Sequence, residues 1–219
     1  MAMREEKGTT IPWLGEAGEQ GAVLDGLFIA GQTPSHGGAV IAPPHPLYGG
    51  SMDSPVVSEL AWACTKAGLA SLRFDWRGVG ASAGEPSGDL GVGAEDFAAA
   101  LLHMGRTVSG PLLAAGYSFG AGTALRAADG QPRVSRLLLV APPPSLLDVA
   151  ALARGEREIL ILAGERDALA PADALAALAE SAPRTRFVPL PEADHFFGVG
   201  LAQLTAAVTH WLDPKAAGV

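Results

Sequence analysis

The residues Gly116-Tyr117-Ser118-Phe119-Gly120 form a G-x-S-x-G pattern. The apolar run Leu112-Leu113-Ala114-Ala115 leads into it, and an alanine-rich segment follows at once. A strand that turns straight into a helix forces the turning residue into a strained conformation with its side chain held out. Glycine at both flanking positions leaves the room that such a turn needs. The helix N-terminus would lie beneath any negative charge forming at the Ser118 hydroxyl. The pattern and its context therefore suit nucleophilic attack by Ser118. Without that context the same residues would be a glycine-rich helix start with a capping serine.

A hydroxyl is a weak nucleophile until a base takes its proton. The chain has five histidines to choose from. His103 falls within a helical pattern, and His210 stands beside Trp211 in the last one, so both read as packing or surface residues. His36 stands in a loop before a strand and is poorly placed. His45 follows a strand end and stays possible. His195 sits in Glu192-Ala193-Asp194-His195-Phe196-Phe197, between the last strand and the last helix, and is the expected base. A base of this kind needs an acid that fixes its tautomer and stabilises its charged form. Asp167, in Gly164-Glu165-Arg166-Asp167 after another apolar strand, is the expected acid. Glu165 and Asp194 are its rivals, although Asp194 adjoins His195 and sequence neighbours rarely face one another.

These side chains must be brought together by the elements around them. Apolar runs ending in Gly, Pro or Asp alternate with helical patterns. Strands are expected over 22–30, 38–42, 69–75, 111–117, 134–141, 158–164 and 185–190. Helices are expected over 53–68, 89–106, 119–128, 171–181 and 201–212, with a short one near 145–153. Strand–helix alternation after an initial strand pair implies a mostly parallel sheet with helices on both faces. The run Ile159-Leu160-Ile161-Leu162 is apolar at every position, as a strand covered on both faces must be. Ligands of such sheets bind at the carboxyl ends of the strands, where Ser118, Asp167 and His195 all fall.

Composition narrows the class further. The chain has 219 residues, a length that one α/β domain commonly fills, so a single domain over 1–219 is expected. Apolar residues make up 48% and charged residues 17%, which excludes a disordered chain. A net charge of −8 argues against nucleic acid as a partner. The lone cysteine, Cys64, cannot form an internal disulfide or a thiolate metal cluster, and it reads as a buried spectator. The start, 1–8, is polar and carries Arg4, Glu5, Glu6 and Lys7, with no apolar stretch behind it to act as a signal peptide. No run of 18 apolar residues occurs, so no membrane span is expected. A cytoplasmic location follows as the expectation.

With these stretches in view, the sequence resembles the α/β-hydrolase superfamily. The order Ser118, Asp167, His195 matches that superfamily's order of nucleophile, acid and base. More narrowly, the chain is similar to small bacterial hydrolases related to dienelactone hydrolases. The resemblance rests on His45-Pro46-Leu47-Tyr48-Gly49-Gly50, Phe74-Asp75-Trp76-Arg77-Gly78-Val79-Gly80-Ala81-Ser82, Gly116 to Gly120, Gly164 to Asp167 and Asp194-His195-Phe196-Phe197. Dienelactone hydrolases carry a cysteine nucleophile, so lactone specificity does not carry over to a chain with Ser118.

The resemblance implies an α/β-hydrolase fold and an oxyanion hole. One donor would be the Phe119 N–H, just after the nucleophile. The second would come from the loop 43–50, where relatives place it two residues after the histidine, at Leu47. The Tyr48 hydroxyl could add a side-chain donor. Only residues 142–157 separate the strand 134–141 from the next, too few for a cap domain, so an open, shallow site is expected. Its expected walls are Trp76, Leu146, Leu169, Phe196 and Phe197, with Leu47, Tyr48 and Phe119. The glycine-rich segment 75–82 lacks G-x-G-x-x-G and the Walker lysine, and reads as a turn held by Asp75 and Arg77.

The implied activity is a serine esterase that cleaves carboxylic esters of short to medium acyl chain through an acyl-enzyme. Thioesterase or acyltransferase chemistry would use the same parts. A non-catalytic binding protein on this fold is the rival from another class. No cofactor and no metal are expected. The expected partner is a small-molecule ester, with no nucleic acid and no membrane, and the chain would be a monomer or homodimer.

Overall fold

Strands β3 (Gly38–Ala42), β4 (Ala70–Phe74) and β5 (Leu112–Tyr117) are buried at every position, and β7 (Glu158–Gly164) at all but its first. Continuous burial needs cover on both faces, and the helices supply it. The computed structural model describes residues 5–13, 22–32 and 37–213. Its remaining strands are β1 (Glu6–Pro12), β2 (Val23–Ile29), β6 (Val134–Val140) and β8 (Thr185–Leu190). Its helices are α1 (Pro55–Lys66), α2 (Leu90–Thr107), α3 (Phe119–Ala127), α4 (Val149–Ala153), α5 (Ala172–Ser181) and α6 (Leu201–Leu212).

The eight strands form one sheet in the order β1-β2-β4-β3-β5-β6-β7-β8. From β4 to β8 all neighbours are parallel, whereas β1–β2 and β2–β4 are antiparallel. This is the α/β-hydrolase fold, a mostly parallel sheet flanked by helices. The crossover from β3 to β4 runs along the sheet in the opposite sense to that from β5 to β6. Right-handed connections then put α1 on one face and α3 on the other. Helix α6 packs against α1, and α2 against α3. The strand order reverses at β3 and β5, so the loops that follow these two strands diverge and open a crevice.

The strand pair at the start differs from the expectation. The first strand is β1, in a segment read partly as a polar start, and residues 1–4 of that start lie outside the described residues. Only Ile11 of β1 is buried. An edge strand can be polar on its open side, which hides it from an apolar-run search. The segments 22–30 and 38–42 are strands, but β4 lies between them. Strand β4 also buries a charge. Arg73 donates to both carboxylate oxygens of Glu6, at 3.0 and 2.9 Å, and to the Met52 carbonyl at 2.6 Å. Buried guanidinium is tolerated when its donors are used in this way.

No cap domain lies between β6 and β7. That stretch holds a 3₁₀ turn (Pro144–Leu146) and the five-residue α4, whose cap Asp148 accepts from the Ala151 N–H at 3.1 Å. The carboxyl ends of the central strands therefore stay open.

Candidate active site

Ser118 links β5 to α3 with φ 55 and ψ −114, a left-handed conformation unusual for a residue with a side chain. Its neighbours permit the turn only because they are glycines. A Cβ on Gly116 would strike the Gly120 carbonyl, and one on Gly120 would lie 2.5 Å from the Pro43 carbonyl oxygen. The Ser118 N–H donates to the Val140 carbonyl at 2.8 Å, and its carbonyl accepts from the Ala121 N–H at 3.0 Å. The hydroxyl is thus held out over the N-terminus of α3.

The Ser118 Oγ lies 3.0 Å from His195 Nε2. On the other side of the ring, His195 Nδ1 lies 2.8 Å from Asp167 Oδ2 and 3.0 Å from Oδ1. Asp167 and His195 are buried, and the Asp167 Oδ1 also accepts the Leu169 and Ala170 N–H groups at 2.9 and 2.8 Å. An ionised carboxylate only accepts, so Nδ1 carries the ring proton toward Asp167. Nε2 is left with a lone pair facing the Ser118 hydroxyl. This arrangement can move a proton from serine to imidazole and stabilise the resulting imidazolium.

The rival residues are placed elsewhere. Glu165 is exposed. The Asp194 carboxylate accepts from the Phe196 and Gly198 N–H groups at 3.1 and 3.4 Å, capping its own loop. His103, on α2, meets Thr9 of β1, and His210 is exposed on α6. His36 lies outside the described residues. His45 lies in the cleft, but as part of the loop after β3 rather than against the serine hydroxyl.

That loop departs from the expected oxyanion geometry. The Phe119 N–H, first in α3, is one of the amides a helix leaves without an intrahelical acceptor. The Leu47 N–H, however, donates to His45 Nδ1 at 3.2 Å, and the Tyr48 N–H donates to the His45 carbonyl at 3.1 Å. His45 caps its own 3₁₀ turn, and burial lowers its pKa, which favours the neutral ring that can accept. The Tyr48 ring stands on the rim.

A cleft of about 470 Å³ opens over Ser118. Tyr48, Leu169 and Phe196 line it. Trp76, Leu146, Phe197 and Leu47 do not. Trp76 and Phe197 are buried, and Trp76 donates its Nε1–H to the Pro44 carbonyl at 2.9 Å beneath the loop. Leu146 packs over Gly122 of α3. The Phe119 ring is buried as well. Pro44, His45, Ser54, Pro55 and Tyr117 complete the walls. Tyr117 has a second part. Its hydroxyl donates to the His195 carbonyl at 2.7 Å, a contact across 78 positions that sequence spacing does not reveal.

The turn 75–82 braces the site from below. Asp75 Oδ1 accepts the Met52 N–H at 2.7 Å, and burial pushes this carboxyl above its ordinary range, against the pull of that amide. Arg77 pairs with buried Asp96 at 2.8 Å. Cys64 is buried, with its thiol pushed up to about 12 by burial. Among the described residues no cluster of three or more His, Cys, Asp or Glu could hold a metal, and no helix is long and apolar enough to cross a membrane.

The family model for serine aminopeptidase, S33, matches residues 47–150. An uncharacterized protein of Rickettsia prowazekii is 30% identical over 201 residues, covering 86% of this chain and 84% of its own length. Among solved structures, an α/β serine hydrolase homologue from Coxiella burnetii is 30% identical, covers 97% of this chain and 99% of its own, and superposes with a TM-score of 0.84. A serine hydrolase without a lid from Xanthomonas campestris is 27% identical, with coverage of 98% and 96% and a TM-score of 0.78. Agreement over almost the full length joins this strand–turn–helix serine to a known group of enzymes: the chain belongs to the α/β-hydrolase superfamily and is one of its serine hydrolases.

Proposed function

We propose that this chain hydrolyses carboxylic esters of short to medium acyl chain through an acyl-enzyme on Ser118. The Ser118 oxygen attacks the acyl carbon as its proton passes to His195 Nε2. Asp167 holds the imidazolium that forms. The tetrahedral intermediate collapses, the carbon–alkoxide bond breaks, and the alcohol leaves with the proton from His195. Water then attacks the acyl-enzyme, giving its proton to His195, and the acid departs as that proton returns to Ser118. The developing oxyanion is held by the Phe119 N–H and by the Leu47 N–H once it turns from His45, with the Tyr48 hydroxyl at the rim.

The observation that carries this reading is the 3.0 Å contact from Ser118 Oγ to a His195 ring whose far nitrogen meets Asp167 at 2.8 Å. The walls support an ester over the N-terminus of a peptide, because among the described residues no Asp or Glu lines the cleft to hold an ammonium group. No metal or cofactor enters the steps above. One eight-stranded sheet carries every strand described, which supports a single domain. A free cysteine fits a cytoplasmic, reducing setting. The chain acts as a monomer or homodimer on a small-molecule ester.

An organophosphonate ester tests the reading, because only an activated serine is modified. Stoichiometric loss of p-nitrophenyl butyrate hydrolysis, with the adduct mass on the Ser118 peptide, is expected. A folded protein that neither hydrolyses the ester nor takes the label is a binding protein instead.

A further inference from the structure

Two series of ring contacts run through the molecule and both end at the Ser118 cleft. The first passes from Phe97 through Phe74, Trp76, Phe119 and His45 to Tyr48, with successive centroids 5.8, 5.1, 5.5, 4.8 and 4.6 Å apart. The second passes from Phe197 through Tyr117 and His195 to Phe196, at 6.0, 5.7 and 5.6 Å. The inner phenylalanines and Trp76 are buried, but the end rings are not: Tyr48 is 87% exposed and Phe196 75%. Both end rings line the cleft. They come from the loops after β3 and β8, strands that lie on opposite sides of β5 in the sheet.

Each series therefore stops with a ring that still has an unpartnered side, and the two stop at one opening. Rings pair favourably at centroid spacings of about 4.5–7 Å in offset or edge geometry. Tyr48 and Phe196 each rest on one side against a histidine ring, His45 and His195, at 4.6 and 5.6 Å. The cleft's charge is equally informative. Among the described residues, no Lys, Arg, Asp or Glu lines the cleft. An ionised substituent would meet no counter-ion there.

We infer that the cleft selects uncharged esters that carry a flat aromatic group, which sits between the Tyr48 and Phe196 rings. This rests on the ester-hydrolase reading and adds the substrate class. A saturated ring of equal carbon count buries a similar area but has no quadrupole to match, so comparing the two isolates the aromatic contact.

The test uses two matched pairs of esters, followed by titration of released acid. Methyl phenylacetate against methyl cyclohexylacetate places the ring on the acyl side. Benzyl acetate against cyclohexylmethyl acetate places it on the alcohol side. In one pair kcat/KM should favour the aromatic ester by about fivefold. Tyr48→Ala and Phe196→Ala should each lower that ratio toward one, whereas Tyr48→Phe keeps it. Methyl 4-carboxyphenylacetate should be hydrolysed at least about tenfold less efficiently than methyl phenylacetate. Ethyl butyrate serves as the reference. Hydrolysis of ethyl butyrate with ratios near one in both pairs, or ratios that survive both alanine variants, overturns the inference and leaves the ester-hydrolase reading intact. Equal rates with and without the carboxylate overturn the charge selection. Failure on ethyl butyrate as well removes the ester-hydrolase reading, and this inference with it.

Discussion

The Tyr117 hydroxyl donates to the His195 backbone carbonyl at 2.7 Å, so the residue beside Ser118 in the chain also anchors the residue beside it in space. Burial pushes the Tyr117 phenol far up from its ordinary pKa, and the charges of Asp167 and Asp194 add to this, so it stays a donor at any working pH. Tyr117→Phe removes this tie and keeps the ring. The base loop then loses one of its fixings to the nucleophile turn. We expect kcat to fall about tenfold with KM little changed, while stability falls by about 1 kcal/mol. Steady-state kinetics with a denaturant melt checks this. A KM effect with kcat intact would mean that Tyr117 serves only as a wall.

Asp167 and Glu165 separate the acid from its rival. Asp167→Asn can still accept the two loop amides but no longer fixes the His195 tautomer, and activity should drop by about 10⁴-fold. Glu165→Gln, on an exposed side chain, should change rates less than about twofold. Rate measurement on both folded variants checks the pair, and a crippled Glu165 variant would reverse the assignment.

Acid should destabilise the fold partly through His103. Burial lowers its pKa from 6.5, and the Arg106 charge lowers it further. The unfolded chain therefore binds the proton first. Below the unfolded pKa the unfolded state gains protons that the folded state resists, so stability falls as pH drops through and below about 6.5. His45, lowered by burial, acts in the same direction. His103→Gln should melt with a shallower loss of Tm between pH 7 and pH 5 than the parent chain. An identical slope in the two proteins would assign the acid loss to other groups.

The strand–helix alternation and the positions of Ser118, Asp167 and His195 were legible because each leaves a local mark. An apolar run marks β5, the paired glycines mark its turn, and loop positions after β7 and β8 mark Asp167 and His195. Strand β1 was not legible, since an edge strand with one buried residue shows no apolar run. The walls leave weaker marks in the sequence than the centre. Trp76 and Phe197 are large and apolar, and sequence gives no sign that they face inward rather than into the cleft. The Leu47 amide was expected to face the oxyanion, but the His45 ring two residues earlier captures it. Contacts of that kind depend on side-chain direction, which residue type alone does not set.

The open mouth sets a limit on acyl length. Each buried methylene contributes about 0.8 kcal/mol and an exposed one almost nothing. Across p-nitrophenyl esters from acetate to palmitate, kcat/KM should rise over the first few carbons and then level or fall. No jump should occur at an oil–water interface, because α4 and its turn are too short to close over the site. A maximum at palmitate would require a deep or closing pocket.

The most direct test of the account is kcat/KM for Ser118→Ala on p-nitrophenyl butyrate, with folding verified by circular dichroism. The hydroxyl fills no core space, so the fold should survive while activity falls by about 10⁴-fold or more. A folded Ser118→Ala variant that keeps activity within about tenfold of the parent would show that the reaction does not run through this serine.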